Sequence, residues 1–481
     1  MAYSNTPTQS TYKTQRFNFI SSPQQRDGTT LTKDQRYVNF FPQTIDSGIN
    51  RSKKYYLCQR PGLVLSQTGT AGAGRGIYFW NSIVYTAIDS TLYANGVSIA
   101  TLGTSSGPVG FTEFSGTYNS LIVLDGVKGW EIKLDHSITQ ITDPDFPTPH
   151  IPTPETIDGY LFVVKSGTAD IYNSDLENAL SWTAGNFITA ELYPDNLVGL
   201  CKNNNYVIAV GTESIEYFYD AGIAVGSPLQ RNDSSIQQMG CAAAGSLVDT
   251  DKELIFVGDT GNGGRTVWVL DGFKSEEVGI EPVKSSLDAE GTNITNAKAF
   301  VVRTMGHKFY VLNLTSRSWV YDMNERMWHE WSYNNDTTPF CCDYSSGSSI
   351  GTSYLLHRTN GNVLTLSPAV STDAISASPA IPIYSSGTTY KIDFDTNNMK
   401  VCYRLSMVCD VPSGSVQTCT VSWSDDDYQT WKGNKTLKLG STISYLNQLG
   451  NFRRRAFKIV YQGTLPIRVE GFELDINMGV Q

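Results

Sequence analysis

Charge is scarce in this chain. Asp, Glu, Lys and Arg make up 17% of its 481 residues, against about 25% in an average domain. Positive charge is the scarcer sign, with 36 Lys and Arg against 46 Asp and Glu, a net charge of −10 and a pI near 5.1. A protein that grips duplex DNA through its phosphates needs clustered cations. The chain as a whole does the opposite, and an acidic wall that repels DNA is compatible with it. No run approaches 18 apolar residues, which excludes a transmembrane helix. The opening MAYSNTPTQSTYKTQ has no apolar core, so it is no secretory signal. The expectation is a protein made in the cytoplasm.

Catalytic patterns are missing too. The five histidines, His136, His150, His307, His329 and His357, show no H-E-x-x-H or metal-ligand spacing. Neither a G-x-S-x-G nucleophile turn nor a phosphate-binding P-loop occurs. The eight cysteines, at 58, 201, 241, 341, 342, 402, 409 and 419, follow no framework spacing and read as reduced and buried.

What the chain does have is recurrence. Seven times a Gly, Asn or Asp turn precedes four to six strand-forming residues: 77–87, 121–125, 160–165, 206–210, 254–257, 309–312 and 354–357. With Ile83, Ile122, Phe162, Ile208, Ile255, Tyr310 and Leu355 as markers, the gaps are 39, 40, 46, 47, 55 and 45 residues. That is the period of a four-stranded propeller blade. A short continuous apolar run suits an inner strand buried on both faces. The fold class expected is all-β, a six- or seven-bladed β-propeller with an N-terminal extended arm and a C-terminal β-sandwich-like domain.

The chain is too long for one small core. Residues 1–62 are polar and Gln/Thr-rich and read as an arm with platform strands; 63–370 read as the propeller. The prolines between 144 and 154 make an extended connector. Residues 371–387, rich in Ser, Ala and Pro, read as a linker. From 388 to 481 apolar and polar residues alternate, the period of half-buried antiparallel strands. No stretch of 12 or more residues keeps a 3.6 period, so helix should be scarce.

Several short patterns carry a chemical and a plain reading. Gly258–Arg265 looks like a phosphate cradle, but it lies between two strand-like runs and reads better as a glycine-rich hairpin turn. Ser424-Asp-Asp-Asp-Tyr-Gln-Thr-Trp431 resembles the Asp-box of sialidases, with Tyr428 in the glycine place. In that family the box braces a hairpin and is not catalytic. Hydrolysis would also need three arginines around a carboxylate and a tyrosine nucleophile. Vicinal Cys341-Cys342 reads as buried rather than redox-active. Asp425–Asp427 and Asp249/Asp251 read as solvated turn carboxylates rather than a calcium site. Arg453-Arg454-Arg455 is the one basic run, suited to phosphate, an acidic partner, a solvated strand edge or an intersubunit ion pair. No catalytic, cofactor-binding or metal residue is assigned, and no cofactor is expected.

Longer phrases carry a family resemblance. Asp34-Gln-Arg-Tyr-Val-Asn-Phe-Phe-Pro42 and Tyr56-Leu-Cys-Gln-Arg-Pro-Gly-Leu63 resemble the opening of short-tailed phage tail proteins. Trp182–Glu191, Pro194–Gly199, Gly211–Gly222, Met239–Ser246 and Phe256–Gly258 follow in an order similar to the core of one family. Leu449–Phe457 resembles a late motif of the same proteins. The family is the packaged-DNA stabilisation protein, or tail nozzle (tail accessory factor), of short-tailed bacteriophages. The resemblance implies a non-enzymatic structural protein of the virion tail. It implies self-association into a ring, a hexamer in relatives, below the portal and its adaptor. There the ring retains packaged genome and forms part of the ejection channel for double-stranded DNA, without sequence-specific binding. Tailspikes or fibres and a tail needle or plug would dock around it.

The residues agree with that reading. A propeller is a rigid wedge with short protected edges, and loops and an arm supply the heterologous contacts of a ring. An acidic lumen would let DNA slide without sticking. The alternative is a glycan-binding or sialidase-like propeller acting on host surface carbohydrate. It rests on the single Asp-box and on 9 Trp and 26 Tyr, whose faces stack on sugars. A cytosolic propeller scaffold would explain the repeats but not the phrases.

Overall fold

The computed structural model describes residues 12–20, 35–46, 53–250, 252–259, 264–348, 351–410, 416–439 and 444–479. Seven antiparallel sheets follow one another around a ring. Blade one is built from Gly74–Trp80, Ile83–Ile88, Thr91–Ala94 and Val97–Thr101, and blade two from Gly110–Ser115, Asn119–Leu124, Gly129–Lys133 and Ile138–Gln140. Blade three is Glu155–Ile157, Tyr160–Val164, Asp170–Asp175 and Asn178–Thr189. Blade four is Leu197–Asn203, Tyr206–Gly211, Ile215–Asp220 and Leu229–Arg231. Blade five centres on Glu253–Asp259, Arg265–Asp271 and Lys274–Glu277, with Gly240–Cys241 and Val248–Asp249 sharing its inner position. Blade six is Lys298–Thr304, His307–Asn313, Ser318–Asp322 and Met327–Trp331. Neighbouring blades touch through their innermost strands, from blade one to two and back from seven to one, except that blades four and five meet through the inner strand of one and the second strand of the other.

Six of the seven recurring runs are the second strand of a blade, and 77–87 spans the first two strands of blade one. The second strand lies between two others in its own sheet and between two neighbouring blades. Ile122, Phe162, Ile208, Ile255 and Tyr310 are accordingly fully buried.

Blade seven closes the ring with a strand from the other end of the propeller. Cys342–Gly347, Ser353–His357 and Val363–Ser367 come from its end, and Gly62–Gln67 from its start supplies the outermost strand. Leu63 is fully buried there beside Leu355 and Leu364. The first and last blade segments are thereby fastened across the sheet ladder, so opening the ring costs a strand's hydrogen bonds.

The chain's two ends build a second body. Its first sheet continues blade six sideways: Met327–Trp331 pairs in parallel with Arg36–Val38, then Ser385–Thr388, Ala456–Tyr461, Gln417–Ser424 and Lys432–Leu439 follow. Its second sheet runs Phe40–Asp46, Lys53–Gln59, Arg468–Met478, Lys400–Asp410 and Tyr445–Phe452, with Lys13–Asn18 also along Arg468–Met478. Between them lies one core, including Phe17, Phe19, Tyr37, Leu57, Phe457 and Phe472. Strands of the segment read as an arm are thus members of the two sheets that hold 388–481. Of the residues read as a linker, Thr372–Asp373 pairs with Ile381–Pro382 and Ser385 begins a strand of the first sheet. Asn39 has φ 55°, a left-handed conformation that Asn tolerates, and turns the chain from one sheet into the other.

One α-helix is present among the described residues, Glu281–Glu290. Pro282 sits at its first turn, Val283 and Leu287 face the core, and Gly291 ends it at positive φ. Pro at the start and Gly past the end are the expected stop and start chemistry. With two apolar anchors over ten residues, it leaves little periodic signal. No helix among the described residues is long and apolar enough to cross a membrane.

Candidate functional site

Two places gather chemistry: the cavity on the propeller axis and the junction with the two-sheet body. The axial cavity, about 1050 Å³, is lined by Tyr78 and Trp80 of blade one, Phe111 and Glu113 of blade two, Asp249 of blade five and Arg303 of blade six, with blade seven closing it. The Tyr78 and Phe111 rings stack with centroids 5.8 Å apart. The Tyr78 hydroxyl donates to Glu113 Oε1 at 3.2 Å. Burial, and then the Glu113 charge, push the Tyr78 phenol up. On the inner strand of blade three, burial pushes the Glu155 carboxyl up to about 8; the Asp249 charge adds to this and Lys202 opposes it. Acids held close in a low-dielectric space favour the protonated form. Lys202 donates to the Thr156 carbonyl at 2.9 Å.

Arg303 is the one arginine among the described lining residues. The three-arginine cluster of a sialidase-like site is therefore not assembled on the axis. The Asp-box lies in the two-sheet body. Asp426 Oδ1 accepts from Thr430 N at 2.9 Å and Ser424 Oγ at 2.8 Å, and the Thr430 hydroxyl donates to Oδ2. These bonds hold the Asp426 carboxyl down at about 2. Tyr428, at φ 69°, occupies the glycine place. The box braces a hairpin, the structural role it has in that family, and its Asp426 carboxylate is taken up by those bonds.

The other patterns resolve as follows. Asp259 pairs with Arg265 across antiparallel strands, so Gly258–Arg265 is a hairpin connection; its residues 260–263 lie outside the described ones. Asp251 also lies outside them. Asp425 holds Arg455 at 2.6 Å, and Asp427 holds Lys391 at 2.9 Å. No group of three or more His, Cys, Asp or Glu residues suited to a metal ion occurs among the described residues. The basic run divides. Arg455 is buried, its guanidinium 4.3 Å from the centre of the Phe452 ring. Arg453 donates to the Asn397 carbonyl at 2.6 Å, and Arg454 lies 3.7 Å from Asp427. Cys341 and Cys342 are buried with sulfurs 3.9 Å apart. Hydrogen bonding from the Cys342 thiol pulls Cys341 down, and burial pushes Cys342 up.

The junction carries groups that no short motif signals. Arg36 makes two hydrogen bonds to Glu330, at 2.7 and 2.8 Å. Arg60, buried, pairs with Asp373 and also donates to Asn39 Oδ1 at 2.8 Å and to the Ser332 carbonyl at 3.1 Å. Asn39 in turn donates to Ser332 and to the Tyr384 carbonyl. One polar network thus joins the body, blade six and the crossing segment. Apart from Arg60 and Asn39, 21 residues apart, its partners are about 270 to 350 residues apart in sequence, which is why no local pattern reveals them.

The family model for phage stabilisation proteins, described as bacteriophage P22 Gp10, beta-propeller, matches residues 26–339. The chain belongs to this family. It is a packaged-DNA stabilisation protein of the Gp10 type, a class of phage virion proteins with a structural role. No curated protein matches the chain. Among solved structures, the N-terminal domain of Nup159 matches with TM-score 0.39 and 9% identity, over 69% of this chain and 98% of that one. A streptogramin B lyase matches with TM-score 0.40 and 10% identity, over 68% and 98%. The extracellular domain of a putative one-component system from B. thetaiotaomicron matches with TM-score 0.40 and 11% identity, over 83% and 58%. All three TM-scores are below 0.5, and no functional argument is taken from them.

Proposed function

We propose that this Gp10-family protein is the tail nozzle of a short-tailed phage. Copies associate into a ring, a hexamer, below the portal-adaptor; the ring retains packaged genome and forms part of the DNA ejection channel. Double-stranded DNA passes it without sequence-specific binding, tailspikes or fibres and a tail needle or plug dock around it, and no catalytic step is involved. The observation that carries this reading is the family match over 26–339. The ring-closed propeller supports it, because a rigid wedge resists outward pressure without local unfolding. The axial cavity of a single propeller is lined by side chains from most of its blades, and on this reading the DNA path lies in the assembly rather than through one propeller.

The test is genome retention. Particles assembled without the protein should package DNA and then lose it, and purified protein added before loss should preserve full heads. Particles that lack the protein yet stay full would refute the reading.

A further inference from the structure

The propeller's exposed large apolar side chains sit mostly at one end. Where the innermost strands finish, the turns present Tyr118 and Leu134 on blade two, Leu176 on blade three, Val225 on blade four, Phe273 on blade five and Met305 on blade six. Val225 is 88% exposed, Tyr118 61% and Leu176 57%. The turns at the opposite end expose only Val127 and Leu192 among the described residues. Single exposed apolar residues are ordinary; a concentration at one end of a molecule marks an interaction surface.

The backbone gives independent support. Tight hairpins favour Asn-Gly or Asp-Gly, because both central residues take positive φ. Asn95-Gly96 and Asp158-Gly159 at this end follow that rule, with φ 44° and 80°, and 46° and 84°. Blade six instead places Met305 at φ 53° before Gly306, and blade three follows Leu176 with Glu177 at φ 57°. Apolar side chains thus occupy turns where folding alone favours Asn or Asp.

Charge indicates what covers them. Residues 63–370 hold 33 of the 46 Asp and Glu but only 16 of the 36 Lys and Arg, a net charge of −17. The two flanking segments, which build the two-sheet body, hold the other 20 cations against 13 acids, a net charge of +7. Within one chain the body already meets blade six through opposite charges, Arg36 with Glu330 and Lys458 with Asp336. The body also has its own exposed aromatic face: Tyr12 and Tyr403 lie 6.2 Å apart, and Arg404 packs over Tyr445 at 5.3 Å. Tyr and Arg are the residues enriched where interfaces bind most tightly.

We infer that the turn end of the propeller is a docking face for a second copy of this chain, whose cationic two-sheet body seats against it. Two different patches on one chain make a heterologous contact, which closes into a ring when the rotation allows. The inference rests on the ring assembly proposed above and adds the surfaces that form it.

The experiment uses the full chain in native mass spectrometry and light scattering. Val225→Lys/Leu176→Lys removes two apolar side chains and opposes a cationic partner. Val127→Lys/Leu192→Lys makes the same change at the opposite end. All four positions are exposed, so circular dichroism and melting should stay as in wild type. The expected result is self-association of wild type and the control pair, weakened several-fold by raising salt, and a loss of at least tenfold in the turn-end pair. Equal association of the turn-end pair and wild type would overturn the inference and leave the nozzle reading intact. A wild type that stays monomeric at all concentrations, or that uses this end to capture another virion protein, would also overturn it. Genome retention tests the nozzle reading separately.

Discussion

Arg60 and Asp373 form a buried two-bond ion pair, Nη1 to Oδ1 at 2.9 Å and Nη2 to Oδ2 at 2.6 Å, with side-chain exposures of 0% and 2%. Arg60 and Pro61 precede the strand that closes blade seven, Gly62–Gln67, and Asp373 follows the strand it pairs with, Val363–Ser367. The remaining Arg60 donors reach Asn39, Pro61 and Ser332, and Asp373 Oδ1 also accepts from Leu63 N. The pair therefore pins both ends of the closure.

Removing one partner leaves a buried charge uncompensated, which costs about 3–5 kcal/mol. Asp373→Ala should lose that much in urea unfolding. Arg60→Met/Asp373→Leu should recover most of it, because a buried pair replaced by packed apolar groups is often neutral. A single variant as stable as wild type would show that water reaches the pair.

The closing strand itself predicts a second loss. Leu63 is fully buried against the last blade. Leu63→Ala should cost about 2–5 kcal/mol and speed proteolysis between the first and last blades. Unchanged proteolysis would mean that the ring is held by inner-strand contacts alone.

How far the sequence reveals the molecule follows from separation along the chain. The blade rhythm is legible because each second strand is buried on both faces and so reads as an unbroken apolar run, as at Leu121–Leu124. Blade closure is not legible. Val64 and Thr365 pair across about 300 residues, and nothing local marks either as the other's neighbour. The same holds for Arg60 with Asp373, 313 residues apart. The N-terminal segment looks polar because its apolar residues come in short clusters among hydrophilic ones, yet Phe17, Phe19, Ile20, Tyr37, Phe40, Tyr55 and Leu57 are all buried in the second core. The docking face was hidden for another reason. Tyr118, Leu176 and Val225 look like incidental turn residues until the ring places them at one end.

His329 supplies an acid-side prediction. It is buried, neither ring nitrogen has a hydrogen-bond partner among the described residues, and Phe41, Phe309 and Trp331 surround it. Burial, and then nearby His307, lower its pKa from 6.5 to about 3. The unfolded chain binds a proton below about 6.5 that the folded chain refuses until about 3, so stability falls as pH drops through that window. His329→Leu should reduce the slope by about one proton, roughly 1.4 kcal/mol per pH unit. Parallel slopes for the variant and wild type would show that the ring is hydrated.

Glu155 acts in the opposite direction, and the two together shape the profile. Its folded pKa is raised from 4.5 to about 8, so the folded state holds a proton that the unfolded chain gives up. That contribution is fully present below 4.5 and is lost as pH rises toward 8. Between 4.5 and 6.5 the unfolded chain carries the His329 proton and the folded chain the Glu155 proton, so the two slopes cancel. Stability should therefore be flat across that interval as far as these groups set it, falling on both sides. Glu155→Gln should remove the alkaline fall while leaving the acid one, and His329→Leu should do the reverse. Urea midpoints measured from pH 4 to 9 for the two variants and their combination decide the matter. If Glu155→Gln leaves the alkaline limb unchanged, water reaches the inner strand of blade three well enough for Glu155 to ionise as it does in the unfolded chain.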